Sequence, residues 1–364
     1  MLKEIEIQNF RCFEQIKISG FERVNLIGGK NNAGKTALLE ALVLYVAPKA
    51  SSIEILRELR RESLEALKAM PKRAWDNLFY SFEKDKIIVI IGKRENYQAY
   101  RVEIVIESIL NKFKNTLVDL IASQGIIDAL PKDKAGVSVI TIKVIINEKK
   151  PFQSSLIASS RGSINIDRIS IADEADEVAI IPSFIRISGK ELTAAYDRAR
   201  LDDKDSEVLK AFQVIDPAIE SVESFSIGEP TLYLRKKGEK RLPLPLFGDA
   251  INRVADIILK LVNSEHKILL IDEIENGIHY TNQREFWRIL FRLAVELDTQ
   301  IFATTHSLEM LQAFADVGLE PNQECSSAYF ELAKKPKTDQ IIGIRRDLET
   351  LNYALEHQKG VRGE

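Results

Sequence analysis

The sequence feature that most constrains the fold is the segment GKNNAGKT at residues 29–36. It fits the pattern G-x-x-x-x-G-K-[ST], in which glycines let the backbone approach phosphate groups closely. The apolar residues Val24, Leu26 and Ile27 predict a short buried strand, and the apolar-rich run at residues 37–46 predicts a helix. This motif requires a strand-to-helix transition, so the sequence predicts a phosphate-binding loop.

The residue types in this loop each have a physical use at a nucleotide site. Loop amides and the helix N-terminus favour negative charge, the lysine amine reaches the β- and γ-phosphates, and the threonine hydroxyl is a ligand for Mg²⁺. We therefore expect ATP and Mg²⁺ as cofactors. A glycine turn before an ordinary core helix is the alternative, and it leaves the lysine without a role. The predicted nucleotide-binding residues of the loop are Gly29, Lys30, Asn31, Asn32, Ala33, Gly34, Lys35, Thr36 and Ala37.

A second segment, KILLIDEIENGIHY at residues 267–280, ends a short apolar strand with two adjacent acids, Asp272 and Glu273. Burying a carboxylate is costly unless a cation or a hydrogen-bond partner compensates for it. In P-loop NTPases an acid at the end of such a strand holds Mg²⁺. The two segments therefore predict one site, in which Thr36 and Asp272 are the metal ligands.

Composition limits the class of protein. The chain has 364 residues, of which 45% are hydrophobic and 29% are charged, and its formal net charge is −3. These values describe a globular protein without an overall basic surface. No signal peptide and no apolar run of membrane-spanning length is found, so we expect a cytoplasmic protein with no membrane partner. The cysteines, Cys12 and Cys325, are too few for a disulfide framework or a structural zinc site.

The hydrophobic pattern divides the chain into three parts. Alternating apolar and polar residues at the N-terminus predict an antiparallel strand pair, and residues 1–85 form the first part of a nucleotide-binding core. Residues 86–228 are predicted to be an inserted lobe, mostly β with helices, one of them around residues 110–121. Residues 229–364 complete the core with a basic hairpin, a helix and two strand–helix units, as in a parallel sheet. The predicted fold class is α/β with a discontinuous core.

The order of these motifs resembles a known group of proteins. EIQNFRCFEQIKI followed by NLIGGKNNAGKTALLEAL resembles the ABC-type ATPase heads of the RecF, SMC and OLD group. LLIDEIENGIHY and IFATTHS are similar to the acidic-strand and switch-histidine motifs of OLD-like AAA ATPases. The resemblance covers both ends of the chain and is weakest over about residues 50–180. It implies an ABC-type P-loop head with N-terminal antiparallel strands and a parallel-sheet core.

The resemblance also implies roles for individual residues. Asp272 would bind Mg²⁺ through water, Glu273 would orient or deprotonate the attacking water, and His306 would sense the γ-phosphate. A half-buried histidine at a strand end is the alternative for His306. Arg11, in the Asn-Phe-Arg turn, is expected to contact the nucleotide or else to face solvent. His279 is expected at a dimer interface or else on the surface at a helix start.

The segment LFGDA stands where the resemblance places the signature loop, whose serine and glycines contact a nucleotide held by a second protomer. Gly248 is present, but no serine precedes it, and Ala250 stands where a second glycine is common. Gly248 and Asp249 are candidate nucleotide-binding residues, although Asp249 alternatively acts only as a helix N-cap. The glutamine of the metal-contacting loop is not identified, and Gln98 and Gln153 are candidates without support.

The same resemblance implies a function for the whole chain. OLD nucleases carry a TOPRIM domain with several acids, including a D-x-D pair, after the ATPase. No such pair follows His306, and Asp203 and Asp205 lie in an acidic loop that we expect to be solvated. We therefore expect a slow ATPase without a nuclease site that dimerises or assembles further on ATP. It would control a separately encoded effector, a nuclease or a toxin, in prokaryotic defence against phage and plasmids.

Two other functions stay open at this stage. One is a RecF-like repair or maintenance ATPase that clamps DNA, supported by a basic hairpin near residues 235–241. Basic residues are common at solvated hairpin tips, and we expect no aromatic residue to stack on these. The other is a scaffold that holds ATP without hydrolysing it, which the altered signature favours and Glu273 disfavours. The basic residues of the hairpin are Arg235, Lys236, Lys237, Lys240 and Arg241.

Overall fold

The computed structural model describes most of the chain, and strands and helices are numbered here in chain order within the described ranges. Within the described residues, no helix is both long enough and apolar enough to cross a membrane. The helix expected around residues 110–121 lies outside them. The described ranges are 1–95, 100–107, 136–146, 152–168, 179–184, 187–263, 267–357 and 360.

An antiparallel sheet begins with the hairpin of β1 (Leu2–Phe10) and β2 (Phe13–Ser19), as the alternating pattern predicts. Apolar residues of β2 are buried and polar ones exposed, because successive side chains of a strand point to opposite faces. The other strands are β4 (Ile88–Arg94), β5 (Tyr100–Glu107), β6 (Ser138–Ile146), β7 (Phe152–Ser159) and β8 (Gly162–Arg168). Their order is β2-β1-β4-β5-β6-β7-β8, and each strand is antiparallel to its neighbours.

A second, mostly parallel sheet carries the sequence motifs. Its strands are β3 (Val24–Gly29), β9 (Ala179–Ile181), β13 (Ile268–Ile271), β14 (Gln300–Thr304), β15 (Ser327–Lys334) and β16 (Ile341–Arg346). The order is β16-β15-β3-β14-β13-β9, and only the β15–β16 pair of this sheet is antiparallel. Since carboxyl ends of parallel strands meet at one edge, the loops after β3, β9, β13 and β14 lie together.

Helices and a small third sheet surround these strands. The small sheet consists of β10 (Ile219–Phe225), β11 (Thr231–Lys236) and β12 (Leu242–Pro243). A capping box of Ser188 and Glu191 precedes the helix Gly189–Leu201, which fixes where that helix begins. The helices are α1 (Lys35–Val46), α2 (Ala50–Leu59), α3 (Leu64–Ala69), α4 (Gly189–Leu201), α5 (Asp205–Ile215), α6 (Asp249–Val262), α7 (Gln283–Glu296), α8 (Leu308–Gly318) and α9 (Leu348–Glu356).

Helix α1 is buried on nearly every side, and it contacts strands of both large sheets. Apolar side chains of α1 join the hydrophobic core that the antiparallel sheet shares with one face of the parallel sheet. A second core fills the other face of the parallel sheet, where α4 to α8 pack. Each fully buried aliphatic side chain contributes about 1.5–3 kcal/mol to folding. The start of α1, where the phosphate-binding loop ends, is therefore held rigidly between the two sheets.

The three sequence-derived parts contribute to shared sheets. Strands β4 to β8, from the segment 86–228, continue the sheet that β1 and β2 begin, and β9 of the same segment joins the parallel sheet. The strand–helix units after residue 229 form the parallel core, as expected. The boundaries 1–85, 86–228 and 229–364 themselves stay a prediction.

Candidate functional site

The loop at residues 29–36 connects β3 to α1, and its glycines are required by geometry. The backbone φ angles of Gly29 and Gly34 are 143° and 93°, positive values that residues with a side chain rarely adopt. A Cβ atom at Gly29 would lie 2.5 Å from the carbonyl oxygen of Leu332, and one at Gly34 would lie 2.9 Å from Sγ of Cys12. Any larger residue would therefore displace the loop from β15 or from the β1–β2 turn.

Lys35 is the first residue of α1, and its side chain is buried. Its Nζ atom donates to the carbonyl oxygens of Gly29 at 2.7 Å and of Lys30 at 2.9 Å. Burial lowers the pKa of Lys35 to about 8. Nearby carboxylates, chiefly that of Asp272, raise this pKa but only partly offset the effect of burial. An anionic ligand above the loop would favour the charged amine and offset its desolvation.

Asp272 follows β13 and is buried beside two hydroxyl groups. Oγ1 of Thr36 donates to this carboxylate, at 3.3 Å from Oδ1 and 3.1 Å from Oδ2, and Oγ1 of Thr304 donates to Oδ1 at 2.6 Å. Burial raises the pKa of Asp272 above its ordinary value. Hydroxyl and carboxylate oxygens are ligands that Mg²⁺ prefers. The donor set of Thr36 and Asp272 therefore fits the expected metal.

Glu273 has a positive backbone φ of 49°, which is uncommon for a residue other than glycine. Its backbone N–H donates to Oγ1 of Thr304 at 2.8 Å, and its Oε2 accepts from Nδ2 of Asn276 at 2.9 Å. Strained backbone positions cluster at functional sites. The strain lies here at the residue that the sequence predicts to act on water.

His306 follows β14 and faces the same acid. Its Nε2 lies 3.9 Å from Oε1 of Glu273, and its backbone N–H donates to Oε1 of Glu275 at 2.6 Å. Burial lowers the pKa of His306, and the charge of Lys35 lowers it further. The imidazole is therefore neutral at pH 7, so it has one N–H to donate and one acceptor nitrogen.

These residues meet around one cavity of about 690 Å³, which we call the loop cavity. Gly29, Lys30 and Asp272 are not among its described lining residues, but Gly29 and Lys30 accept hydrogen bonds from the lining residue Lys35, and Asp272 accepts one from the lining residue Thr36. A cavity of this size is ordinary for a small-molecule ligand. Its lining residues are Arg11, Cys12, Asn31, Asn32, Ala33, Gly34, Lys35, Thr36, Ala37, Arg60, Glu273 and His306.

Arg11 lines the loop cavity, but its guanidinium is bound to protein groups. Its Nε and Nη2 atoms donate to Glu40 at 3.0 Å and 3.3 Å, and its Nη1 donates to the carbonyl oxygen of Asn77 at 3.0 Å. The side chain of Arg11 is 9% exposed, so the alternative of a solvent-facing arginine is wrong. The remaining expectation, a contact between Arg11 and the nucleotide, stays a prediction.

Arg60 lines this wall of the cavity, Glu40 lies buried behind it, and sequence reasoning missed both. Arg60 donates to Glu40 through Nε at 2.7 Å and through Nη2 at 3.0 Å. Glu40 is 0% exposed, whereas Arg60 is 40% exposed, which makes Arg60 the more accessible cation of the pair that holds Glu40. One signal was present in the sequence, since Glu40 is the lone acid of an apolar helical run. Buried acids need cationic partners.

Other candidates lie apart from the loop cavity. Gly248 is the N-cap of α6 with φ 86, and Asp249 is the first helical residue, so the expected N-cap role of Asp249 is wrong. His279 is exposed, precedes a short 3-10 helix, and its Nδ1 lies 2.8 Å from Oγ1 of Thr281. None of the three candidates lines the loop cavity. Contacts of Gly248, Asp249 and His279 with a second protomer stay predictions.

No glutamine is among the described residues that line the loop cavity, so the metal-contacting glutamine has no counterpart among them. Gln98 lies outside the described residues. Gln153 lies in β7 of the antiparallel sheet, paired in register with Lys143 and Arg168. The strand on the other side of β13 from β14 is β9, and the residues that follow β9 are Pro182 and Ser183.

The basic hairpin is largely neutralised by its neighbours. Three of its cations form ion pairs with acids of β10 or of the turn before it, which leaves less positive charge for a polyanion. The support that the hairpin gives to DNA binding is therefore weaker than the sequence suggests. The pairs are Arg235 with Glu220 at 3.7 Å, Lys236 with Asp216 at 2.6 Å and Arg241 with Glu223 at 2.8 Å.

Fold and site together define a P-loop ATPase head of the ABC type. The chain belongs to the AAA ATPase domain family, whose model matches residues 1–124 and 54–311. It is 25% identical over 389 aligned positions to an ATP/GTP phosphatase of Helicobacter pylori, covering 100% of both chains. The DNA replication and repair protein RecF of Bacillus thuringiensis is 37% identical over 60 residues, 16% of each chain.

A solved structure supports the same fold. The Smc head bound to the C-winged helix domain of ScpA is 12% identical to this chain, with a TM-score of 0.50 over 96% of this chain and 98% of that one. At such low identity the similarity concerns the fold alone. It confirms the predicted α/β fold class of ABC-type ATPase heads. The closer relation to OLD-like ATPases stays a prediction.

Proposed function

We propose that this protein is a regulatory ATPase that binds ATP with Mg²⁺, hydrolyses it slowly and assembles on it to control a separate effector protein. The observation that carries the proposal is the meeting of Lys35, Thr36, Glu273 and His306 around one cavity, with Asp272 bonded to Thr36. The family match and the similarity to an ATP/GTP phosphatase support hydrolysis of a nucleoside triphosphate.

Binding of the nucleotide would depend on the loop after β3. The amine of Lys35 and the amides at the start of α1 would hold the phosphates, because both carry positive charge or its partial equivalent. Thr36 and Asp272 would hold Mg²⁺ through their oxygen atoms. When bound, the metal supplies positive charge against the charge that develops on the phosphates.

Hydrolysis would depend on Glu273. Its carboxylate faces the cavity and is held by the amide of Asn276, so it is positioned to orient a water molecule and accept its proton. His306 is neutral at pH 7 and 3.9 Å from the same carboxylate. Its ring N–H would donate to a γ-phosphate oxygen, and loss of that phosphate would break this hydrogen bond. Nucleotide state would thus be transmitted to the loop after β14.

Assembly would use the start of α6. Gly248 has no side chain, and the helix N-terminus that it caps offers N–H groups to an anion. In the group that the chain resembles, this position contacts the nucleotide of a second protomer, so a homodimer or larger assembly would close around ATP. The absence of the usual serine removes one donor, which is the reason to expect slow turnover.

The effector would be a separate protein, a nuclease or a toxin, in cytoplasmic prokaryotic defence against phage and plasmids. This step rests on the resemblance to stand-alone ATPases that act beside a separately encoded effector. A RecF-like DNA clamp is the second candidate, favoured by the RecF match over 60 residues. The ion pairs of the basic hairpin disfavour it.

Phosphate release by the purified chain tests these alternatives, measured with Mg-ATP and with Mg-GTP, with and without duplex DNA. Glu273→Gln serves as the blank. Slow release that is indifferent to DNA is the expected result, whereas strong stimulation by DNA would favour the clamp. Light scattering of Glu273→Gln should report a larger mass with Mg-ATP than with ADP. An unchanged mass would remove assembly from the proposal.

A further inference from the structure

The loop after β13 carries a third acid, Glu275, which is neither the expected metal ligand nor the expected base. Its Oε1 atom accepts the backbone N–H of His306 at 2.6 Å, whereas its Oε2 atom is buried without a hydrogen-bond partner among the described residues. A buried polar atom that lacks a partner costs stability. Folding alone therefore does not explain why a carboxylate lies at this position.

Glu275 makes the last of three cross-links between the loops that follow β13 and β14. The first two end on Thr304, the last residue of β14. The N–H of Glu273 donates to its Oγ1 atom at 2.8 Å, and the N–H of Ile274 donates to its carbonyl oxygen at 2.9 Å. The carboxylate of Glu275 extends the connection to His306, two residues further along the chain. The loop of the switch histidine is thus held against the loop of the predicted base.

The backbone of His306 lies between two residues that are each fixed by other contacts. The N–H of Thr305 donates to the carbonyl oxygen of Ile27 in β3 at 3.0 Å, and Ser307 is the N-cap of α8. The N–H of His306, just before this cap, donates to Glu275. Negative charge is favourable beside a helix N-terminus, so a carboxylate suits this place.

The imidazole ring of His306 takes its position from this backbone. Its Nε2 atom is 3.9 Å from Oε1 of Glu273, which is too far for a hydrogen bond. In the part of the chain that the structure describes, the ring donates to and accepts from no other protein group, and it is 36% exposed. A shift of the His306 backbone would therefore move the ring away from the γ-phosphate that it is proposed to contact.

The charge of Glu275 is the alternative explanation for its place in the site. Burial lowers the pKa of Lys35, whereas the charges of Asp272 and then of Glu275 raise it. Burial and the charge of Lys35 lower the pKa of His306, whereas Glu275 raises it. Glu275→Gln separates the two explanations, because its amide oxygen still accepts an N–H but the negative charge is gone.

We propose that Glu275 is a positioning residue, which fixes the backbone of His306 so that the ring meets the γ-phosphate and the site distinguishes ATP from ADP. The inference rests on the proposed function, because it concerns the residue that would sense the γ-phosphate. Glu275 acts through His306 and touches neither the nucleotide nor the attacking water. The hydrogen bond, and not the charge, is the property that this role requires.

Single-turnover phosphate release with Mg-ATP gives the first test. Glu275→Ala should lower the rate by about 10- to 100-fold, since small misplacements at a reacting centre have effects of that order. Glu275→Gln keeps the acceptor and should stay within about 3-fold of the parent. Glu324→Ala, at an exposed position before β15, is the control for loss of an acid and should match the parent. An equal loss in Glu275→Gln and Glu275→Ala would assign the effect to charge, against the proposal.

His306→Ala shows whether Glu275 acts through the histidine. When His306→Ala is already present, Glu275→Ala should slow release by less than about 2-fold further, because the ring that it positions is gone. Independent roles would instead give losses that multiply. A full loss from Glu275→Ala on the His306→Ala background would contradict positioning.

The melting temperature of the ligand-free protein separates positioning from a purely structural role. Glu275→Ala removes a hydrogen bond, but it also removes the unpartnered Oε2 atom and one of three carboxylates around Lys35. The melting temperature should therefore stay within about 4 °C of the parent value. A larger fall would indicate that Glu275 serves folding, against the proposal.

Nucleotide affinity separates this inference from the ATPase proposal, because binding needs no hydrolysis. In the Glu273→Gln background, the Kd for Mg-ADP divided by that for Mg-ATP measures recognition of the γ-phosphate. Glu275→Ala and His306→Ala should each lower this ratio by about 5-fold or more, with the Kd for Mg-ADP nearly unchanged. These changes in a chain whose parent form releases no phosphate would remove hydrolysis and support positioning. A ratio that Glu275→Ala leaves unchanged would overturn positioning, whatever the parent hydrolyses.

Discussion

Oγ1 of Thr36 lies 3.1 Å from Oδ2 of Asp272, although the two residues are 236 positions apart in the sequence. The hydroxyl ends the phosphate-binding loop, and the carboxylate ends β13. Both groups offer oxygen ligands. The carboxylate is buried, and desolvation raises its pKa. The pair is therefore arranged for a divalent cation, which would relieve the cost of burying that charge.

Asp272→Asn should separate metal binding from folding. For an acid whose pKa is raised in the folded state, stability is greatest below the unfolded pKa and is lost as pH rises from 3.8 upward. The ligand-free variant should therefore be at least as stable as the parent at pH 7. Its melting temperature should rise little with Mg-ATP, whereas that of the parent should rise clearly. An equal rise in both would exclude Asp272 as a metal ligand.

Lys35 predicts how nucleotide affinity depends on pH. Its pKa is about 8 in the folded protein, against 10.5 for an ordinary lysine, so the folded chain releases this proton first. Between those values the ligand-free protein should gain stability with rising pH. ATP needs the charged amine, so its affinity should fall above pH 8 by up to about tenfold per pH unit.

Lys35→Arg is the matched control for that experiment, because arginine stays charged over this range. Its geometry differs, so its affinity for ATP should be lower, but independent of pH between 7 and 9. Fluorescence titration with a labelled ATP measures both proteins. A fall above pH 8 that is equally steep in Lys35→Arg would assign the titration to another group.

Glu273→Gln should retain nucleotide binding and lose hydrolysis. The amide keeps the shape of the side chain but cannot accept a proton, and general-base catalysis is worth about 10²–10⁴-fold in rate. Single-turnover phosphate release measures the loss, and ATP titration measures the retained affinity. Glu285→Gln, at an exposed position in α7, is the control and should behave as the parent. Parent-like release by Glu273→Gln would refute the assigned base.

The sequence predicted those parts of the site that depend on local order. A glycine-rich loop between strand and helix and an acid at a strand end are short-range patterns, so the sequence predicts the loop at residues 29–36 and the position of Asp272 after a strand, and the structure has both. The N-cap of α6 shows the limit of such reasoning, because Asp249 is a suitable capping residue and yet Gly248 occupies that position. Capping depends on backbone angles that residue type alone does not fix.

Other residues of the site escape sequence analysis for a different reason. Arg253 bonds to the carbonyl oxygen of Asp272 and Arg60 bonds to Glu40, each through a long side chain that reaches across elements. Sequence spacing carries no record of such contacts. The segment 86–228 illustrates the same limit for the fold, since its strands were predicted individually but their partners were not. Strand β4 pairs with β1 and β9 pairs with β13, both across long stretches of chain.

The cluster of Arg11, Glu40 and Arg60 predicts a split between stability and binding. Glu40 is fully buried and its carboxylate is bonded to both arginines, so Glu40→Ala would leave the buried Arg11 without its acid. The free energy of unfolding should fall by about 3–5 kcal/mol, measured by urea titration. Glu58→Ala, an exposed position in α2, should change it by less than about 0.5 kcal/mol.

Arg60 and Arg11 should then differ in what their removal costs. Arg60→Ala leaves Arg11 bonded to Glu40 and removes the more exposed cation of the loop cavity, so ATP affinity should fall by about tenfold or more with a small change in stability. Arg11→Ala removes the buried partner, so stability should fall more than affinity. Arg73→Ala, 72% exposed and outside the cavity, is the control for loss of positive charge. If Arg11→Ala lowers affinity and Arg60→Ala does not, Arg11 is the nucleotide contact and the accessible face of Arg60 has no part in binding.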